Sequence, residues 1–296
     1  MSLVRRFLIG MGSAVVVTTA VLAGSGTAQA FPLPGGEFLP NGSLGAPVVP
    51  KAELDKSFRA LTKAMAKNLP GRVGVAITPV NGDTPTSFGS LKTARAWSTL
   101  KVPVAIAAQR KLGPAVLAEE TKSIELSDNE AAEALWGALG GGAASVDAVT
   151  AVLREGHDVR TRVDSELTDS YPGLTRWDLT DQSIFAAHLP CLPGTGEVIG
   201  HMRNVGPNQQ WGVARPKGKG VSAAVKGGWG PATGTGGKNV VRQLAVVWTP
   251  AGAYGVSLAA LPASGSLTDG NAMVTRVGQW LLRNIGKFPA GRCPGL

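Results

Sequence analysis

The chain has 296 residues, of which 44% are hydrophobic and 17% charged, and a formal net charge of +9. This composition excludes a disordered or fibrous chain and leaves room for one large domain with a sizeable core. The positive charge is dispersed, with its densest patch at residues 215–219, so no nucleic-acid partner is expected.

Residues 1–30 read as a signal peptide. Arg5 and Arg6 open it, an apolar stretch begins at Phe7, and Ala28-Gln29-Ala30 places small residues two apart for cleavage. Gly10, Gly12, Ser13, Thr18 and Thr19 interrupt the stretch, so no stable membrane span is expected after cleavage. No Cys lies nearby to carry a lipid, and the Arg pair matches a twin-arginine signal only loosely. The expected product is secreted, extracellular or held in the cell envelope. Its basic charge would suit anionic envelope polymers, although ordinary solubility is the plainer reading.

Residues 31–50 form a flexible leader rich in Pro and Gly. The folded domain is expected over 51–288, with a short tail at 289–296. Leu54, Phe58, Leu61, Met65 and Leu69 recur at helical steps, and Pro70-Gly71 ends that helix. Residues 72–78 read as a strand, followed by the turn signal Asn81-Gly82. A block rich in Ala and Leu, about 98–210, reads as inserted helices, and 178–189 is one of them, with Asp178 or Thr180 near its cap. Strand patterns return at 221–226, 240–248 and 254–261, the last two joined by a hairpin at 250–252. A closing helix runs over 269–285, with Thr268 placed to cap it. The order predicts an α+β fold: an antiparallel sheet from both chain ends, flanking helices and an inserted helical subdomain. The cleft between sheet and insertion is the natural site.

Cys191 and Cys293 are the only cysteines, and in an exported chain two lone cysteines are expected to pair. His157, His188 and His201 show no metal-ligand spacing and read as structural. No phosphate-binding loop or Gly-x-Ser-x-Gly elbow is present, so no metal or cofactor is expected and an α/β-hydrolase is disfavoured.

Ser98-Thr99-Leu100-Lys101 is the one Ser-x-x-Lys in the chain. Three residues is just under a helical turn, so the amine falls on the face of the hydroxyl and can serve as its base. By itself the pattern also suits a capping Ser and a surface Lys. Ser127-Asp128-Asn129 follows and by itself reads equally as a helix cap. Lys226-Gly227-Gly228-Trp229 closes a predicted strand, and its plain reading is a basic strand end before a Gly turn.

In this order the three motifs resemble the signature of class A β-lactamases and penicillin-binding proteins, especially the related serine hydrolases of actinobacteria. The resemblance extends over about 52–285 and includes 161–164 and 178–189, which look like the flanks of the family's Ω-loop and the helix after it. It implies a β-lactamase/transpeptidase-like fold. It also implies that Ser98 attacks an amide or ester carbonyl, that Lys101 takes its proton, and that Ser127 and Lys226 serve the leaving group. Asn129 would bind the substrate amide, Gly228 and Trp229 would line the substrate strand, and the Ser98 and Trp229 amides would form an oxyanion hole. The expected partner is a small β-lactam or a peptidoglycan-type peptide, and the expected state a monomer.

The pattern departs from the family in three places. Position 227 is Gly where the family usually has Thr or Ser, whose hydroxyl helps to hold a substrate carboxylate. The span from Ser98 to Ser127 is short. The segment 165–176 carries only Glu166 and Asp169 as carboxylates, so Glu166 is the candidate deacylation base, against the reading of a solvated loop acid. Two functions compete: an acyl-enzyme hydrolase, and a degenerate envelope-associated binding protein on the same fold.

Overall fold

A computed structural model describes residues 50–164 and 171–295. The expected signal peptide, most of the leader, and Glu166 and Asp169 lie outside the described residues. The first helix, α1 (Lys51–Met65), turns Leu54, Phe58 and Met65 inward. Strand β1 (Gly71–Pro79) pairs antiparallel with the short β2 (Thr86–Gly89). Strand β3 (Thr93–Arg95) leads into a 3₁₀ turn at Trp97–Leu100 and then α2 (Lys101–Leu112). Pro103 is tolerated because it falls in the first turn, where its missing N–H has no intrahelical partner to lose.

The helical block continues with α3 (Leu117–Thr121), a π-helical turn at Lys122–Leu126, α4 (Asn129–Leu139) and α5 (Gly142–Glu155). Strand β4 (Arg176–Asp178) pairs with β3 in a separate two-stranded sheet. Helices α6 (Leu179–His188) and α7 (Gly196–Arg203) complete the block. The chain returns through β5 (Ser222–Pro231), β6 (Asn239–Thr249) and β7 (Gly252–Pro262) and ends in α8 (Leu267–Asn284).

The main sheet is antiparallel with order β2-β1-β7-β6-β5, so the two chain ends build it together. Both faces are covered, which is why β7 is buried at every position rather than alternating. On one face, Leu54 and Phe58 of α1 pack with Trp280 and Leu281 of α8. Each such buried side chain contributes about 1.5–3 kcal/mol. The second core joins α2, α4, α5 and α6, and α2 is buried without interruption from Lys101 to Ala108. Among the described residues no single helix is long and apolar enough to cross a membrane.

Two local expectations are corrected. The cap of α8 is Ser266, whose Oγ accepts from the Asp269 amide, because the helix begins earlier than Thr268. Strand β5 continues past Lys226 to Pro231, because 227–231 pair in register with β6 despite three glycines. The cap read from Ser127-Asp128-Asn129 is supplied to α4 by Asp128, whose Oδ1 accepts from the Ala131 amide at 2.7 Å, while Ser127 stands outside the helix at φ 60°. Cys191 and Cys293 form the expected disulfide, with Cα atoms 5.3 Å apart. It ties the region after α6 to the C-terminal tail.

Candidate active site

The 3₁₀ turn places Ser98 at the mouth of a cavity of about 290 Å³, which Ser127, Asn129, Glu133, Tyr171 and Trp229 also line. Ser98 is half-buried, and its Oγ makes no hydrogen bond to any described residue. Lys101 lies behind it, fully buried. Its Nζ donates to Ser127 O at 2.7 Å, Asp128 O at 2.9 Å and Asn129 Oδ1 at 2.8 Å. Burial lowers its pKa to about 8, against the opposing charges of Asp128 and Glu133.

Lys226 reaches the same serine from the other side. Its Nζ donates to Ser127 Oγ at 2.9 Å, Gln209 Oε1 at 2.7 Å and Gly227 O at 3.0 Å. Burial, and then the charge of Lys101, hold its pKa well below the ordinary lysine value. With Lys226 donating to its oxygen, the Ser127 hydroxyl is free to present its own proton to the cavity.

The two glycines of β5 have separate reasons. A Cβ at Gly228 would stand 2.8 Å from Ala96 O and 3.1 Å from the Ser98 amide nitrogen, so only glycine lets the strand come this close to the Ser98 turn. A Cβ at Gly227 would stand 2.8 Å from Cζ2 of Trp211. The Trp211 indole fills the space that a Thr or Ser side chain would need. Trp229 packs edge-on to it, with ring centroids 6.5 Å apart.

Several supporting residues carried no sequence signal. Trp97, just before Ser98, is held at φ 46°, a left-handed conformation that costs a non-glycine residue about 1–3 kcal/mol. Tyr171 Oη donates to Trp97 O at 2.5 Å, and the Trp97 amide donates to Gly173 O at 2.7 Å, so the end of the 165–176 segment clamps the turn. The Tyr171 amide donates in turn to Glu133 Oε2 at 2.7 Å. Beneath the turn, Gln182 Nε2 donates to Thr99 Oγ1 at 2.9 Å, and its Oε1 accepts from Arg242 at 2.9 Å and Ser257 at 2.6 Å. These partners are 60 to 83 residues apart in sequence, which is why no local spacing announces them.

The histidines do cluster, although sequence spacing does not suggest it. His157 Nδ1 and His188 Nε2 lie 2.8 and 2.9 Å from Asp83 Oδ1, with their rings stacked 3.8 Å apart. His201 lies elsewhere, beside Glu125 and the buried Glu120.

No protein-family model matches the chain, and no curated protein does. Solved structures do match. A β-lactamase from Xanthomonas campestris is 17% identical, with a TM-score of 0.60 over 78% of this chain and 98% of that one. The chromosome-encoded β-lactamase of Vibrio parahaemolyticus is 16% identical, with a TM-score of 0.58 over 78% and 98%. An ancestral class A β-lactamase is 20% identical, with a TM-score of 0.56 over 78% and 99%. The chain therefore has the fold of class A β-lactamases.

Proposed function

We propose that the protein is an exported serine hydrolase that forms an acyl-enzyme through Ser98, with Lys101 as base. The observation that carries this reading is the convergence of Lys101 and Lys226 on Ser127, behind a cavity that opens on Ser98. A burial-lowered lysine can accept the Ser98 proton near neutral pH, as nucleophilic attack requires. Ser98 Oγ then bonds to the carbonyl carbon, the Ser98 and Trp229 amides hold the oxyanion, and Ser127 passes a proton to the leaving group. Asn129 binds the substrate amide. A disulfide in the described structure is consistent with export.

The cavity also bears on the substrate. Among the described residues, Glu133 is the one charged residue that lines it, and it is acidic. All three protons of Lys226 are engaged, and Trp211 occupies the place of the missing hydroxyl side chain. These features favour a neutral or amine-bearing peptide amide of cell-wall type over a β-lactam, which brings a carboxylate. Acylation without a well-placed water-activating base should give slow turnover, since general-base help is worth about 10²–10⁴-fold.

Intact-mass analysis after incubation with a fluorophosphonate or a fluorescent penicillin tests the reading. Wild type should gain one adduct and Ser98→Ala none. Undiminished labelling of Ser98→Ala would overturn the assignment, and an unlabelled wild type would favour the non-catalytic binding protein. A nitrocefin burst without steady turnover is expected. Rapid turnover that collapses in Glu166→Gln would instead make this a working β-lactamase.

A further inference from the structure

We propose that a second cavity, next to the catalytic one, is a subsite for an anionic group, phosphate or carboxylate, carried by the substrate away from its reacting carbonyl. The claim that this anion belongs to the substrate rests on the reading of Ser98 above; the claim that the cavity binds anions does not.

The cavity measures about 350 Å³, larger than that at Ser98. Arg72 of β1, Lys92, Arg95 of β3 and Arg176 of β4 line it, together with Thr233 and Thr235 beyond β5, and among the described residues no carboxylate does. Among the described residues none of these four cations has an ion pair or a side-chain hydrogen bond. Three arginines elsewhere in the fold are matched: Arg110 with Glu155, Arg160 with Asp181, and Arg242 with four acceptors.

The strand pairing points the same way. Arg95 and Arg176 are direct cross-strand partners in the β3–β4 pair. Like charges directly opposite one another destabilise a strand pair. A bound anion turns this repulsion into a two-armed clamp, because guanidinium groups match phosphate and carboxylate oxygens in bidentate fashion.

The two cavities are joined by the chain on both sides. Arg95 lines one and Ser98 the other, three residues later, and the Arg95 guanidinium lies 6.0 Å from the Trp97 ring centre. Likewise Trp229 lines the catalytic cavity and Ala232 the basic one. On the β5 side, the three residues from Trp229 to Ala232 continue the strand and span about 10 Å, which sets the distance between the reacting carbonyl and the anion. The substrate class is therefore an amide that is neutral or cationic at the scissile bond and anionic about 10 Å away.

The test is calorimetric titration of the full chain with pyrophosphate and, separately, citrate at low salt. Saturable binding is expected, with the tighter of the two naming the anion. Arg72→Gln/Arg176→Gln should weaken it by about tenfold or more, as loss of two charge-assisted contacts requires. Ser98→Ala should leave it unchanged, as should Lys217→Gln/Lys219→Gln, which removes equal charge before the opposite end of β5. No saturable binding, or an equal loss in the Lys217/Lys219 control, would overturn the site. An acylating probe with a phosphate arm of about 10 Å should label wild type faster than the armless probe, and this advantage should vanish in Arg72→Gln/Arg176→Gln. If the anion binds but the arm gives no advantage, the link to the substrate fails. If Ser98 is not labelled at all, the catalytic reading fails while the anion site stands.

Discussion

The proposed role of Lys101 as base predicts that acylation depends on pH. Only the neutral amine can accept the Ser98 proton. With a pKa of about 8, roughly one lysine in ten is neutral at pH 7, and each pH unit below costs about another factor of ten. Labelling of Ser98 should therefore rise about tenfold per unit from pH 6 and level off above pH 8. The midpoint should also respond to the three acceptors around Nζ, since all favour the ammonium form. Asn129→Ala removes the 2.8 Å contact from Asn129 Oδ1. A hydrogen bond to a charged group is worth about 1.5–3 kcal/mol, so the midpoint should move down by about one to two pH units. The assay is the pseudo-first-order rate of fluorophosphonate labelling, followed by intact mass, across this range for both proteins. A pH-independent rate in wild type, or an unmoved midpoint in Asn129→Ala, would refute the assignment of Lys101 as base.

Three further outcomes follow from the packing. Glu120 is fully buried, neither carboxylate oxygen is hydrogen-bonded, and burial raises its pKa from 4.5 to about 7, partly opposed by His201. A raised carboxyl contributes its full stability below the unfolded value and loses it as the pH climbs through the folded one. Urea unfolding should thus show wild type losing about 3 kcal/mol between pH 4.5 and pH 7 relative to Glu120→Gln, and parallel curves would contradict this. Cys191→Ser/Cys293→Ser opens a link between residues 102 apart, so unfolding should become easier by about 4–5 kcal/mol in the chain-entropy model; an unchanged denaturation midpoint would argue against it. Gly228→Val should abolish Ser98 labelling, because its Cβ would meet the Ala96 carbonyl at 2.8 Å; a labelled, well-folded variant would show that β5 can retreat without harm.

Much of the fold was legible because its signals are local. The helical steps from Leu54 to Met65 and the hairpin at 250–252 report burial of one face or a tight turn, and both depend on near neighbours in sequence. The three motifs were legible for a related reason: Ser98 and Lys101 sit within one helical turn, and Ser127 stands two residues before Asn129. The extent of β5 was not, since glycines at 227, 228 and 230 read as a turn until β6 supplies their partners.

The sequence by itself determined which groups could carry the chemistry, a serine with a lysine one turn away and two further polar motifs, and that position 227 has no hydroxyl. Only the tertiary structure decided that Lys101 and Lys226 meet on Ser127, that Trp211 takes the space beside Gly227, and that Tyr171 clamps the turn at Trp97. It also decided that four cations share a cavity with no acid among its described lining residues. The physical reason is the same in each case. Proton affinity, close packing and charge repulsion depend on burial and on separations of a few ångströms, and the residues that set them here come together only when distant segments of the chain fold against one another.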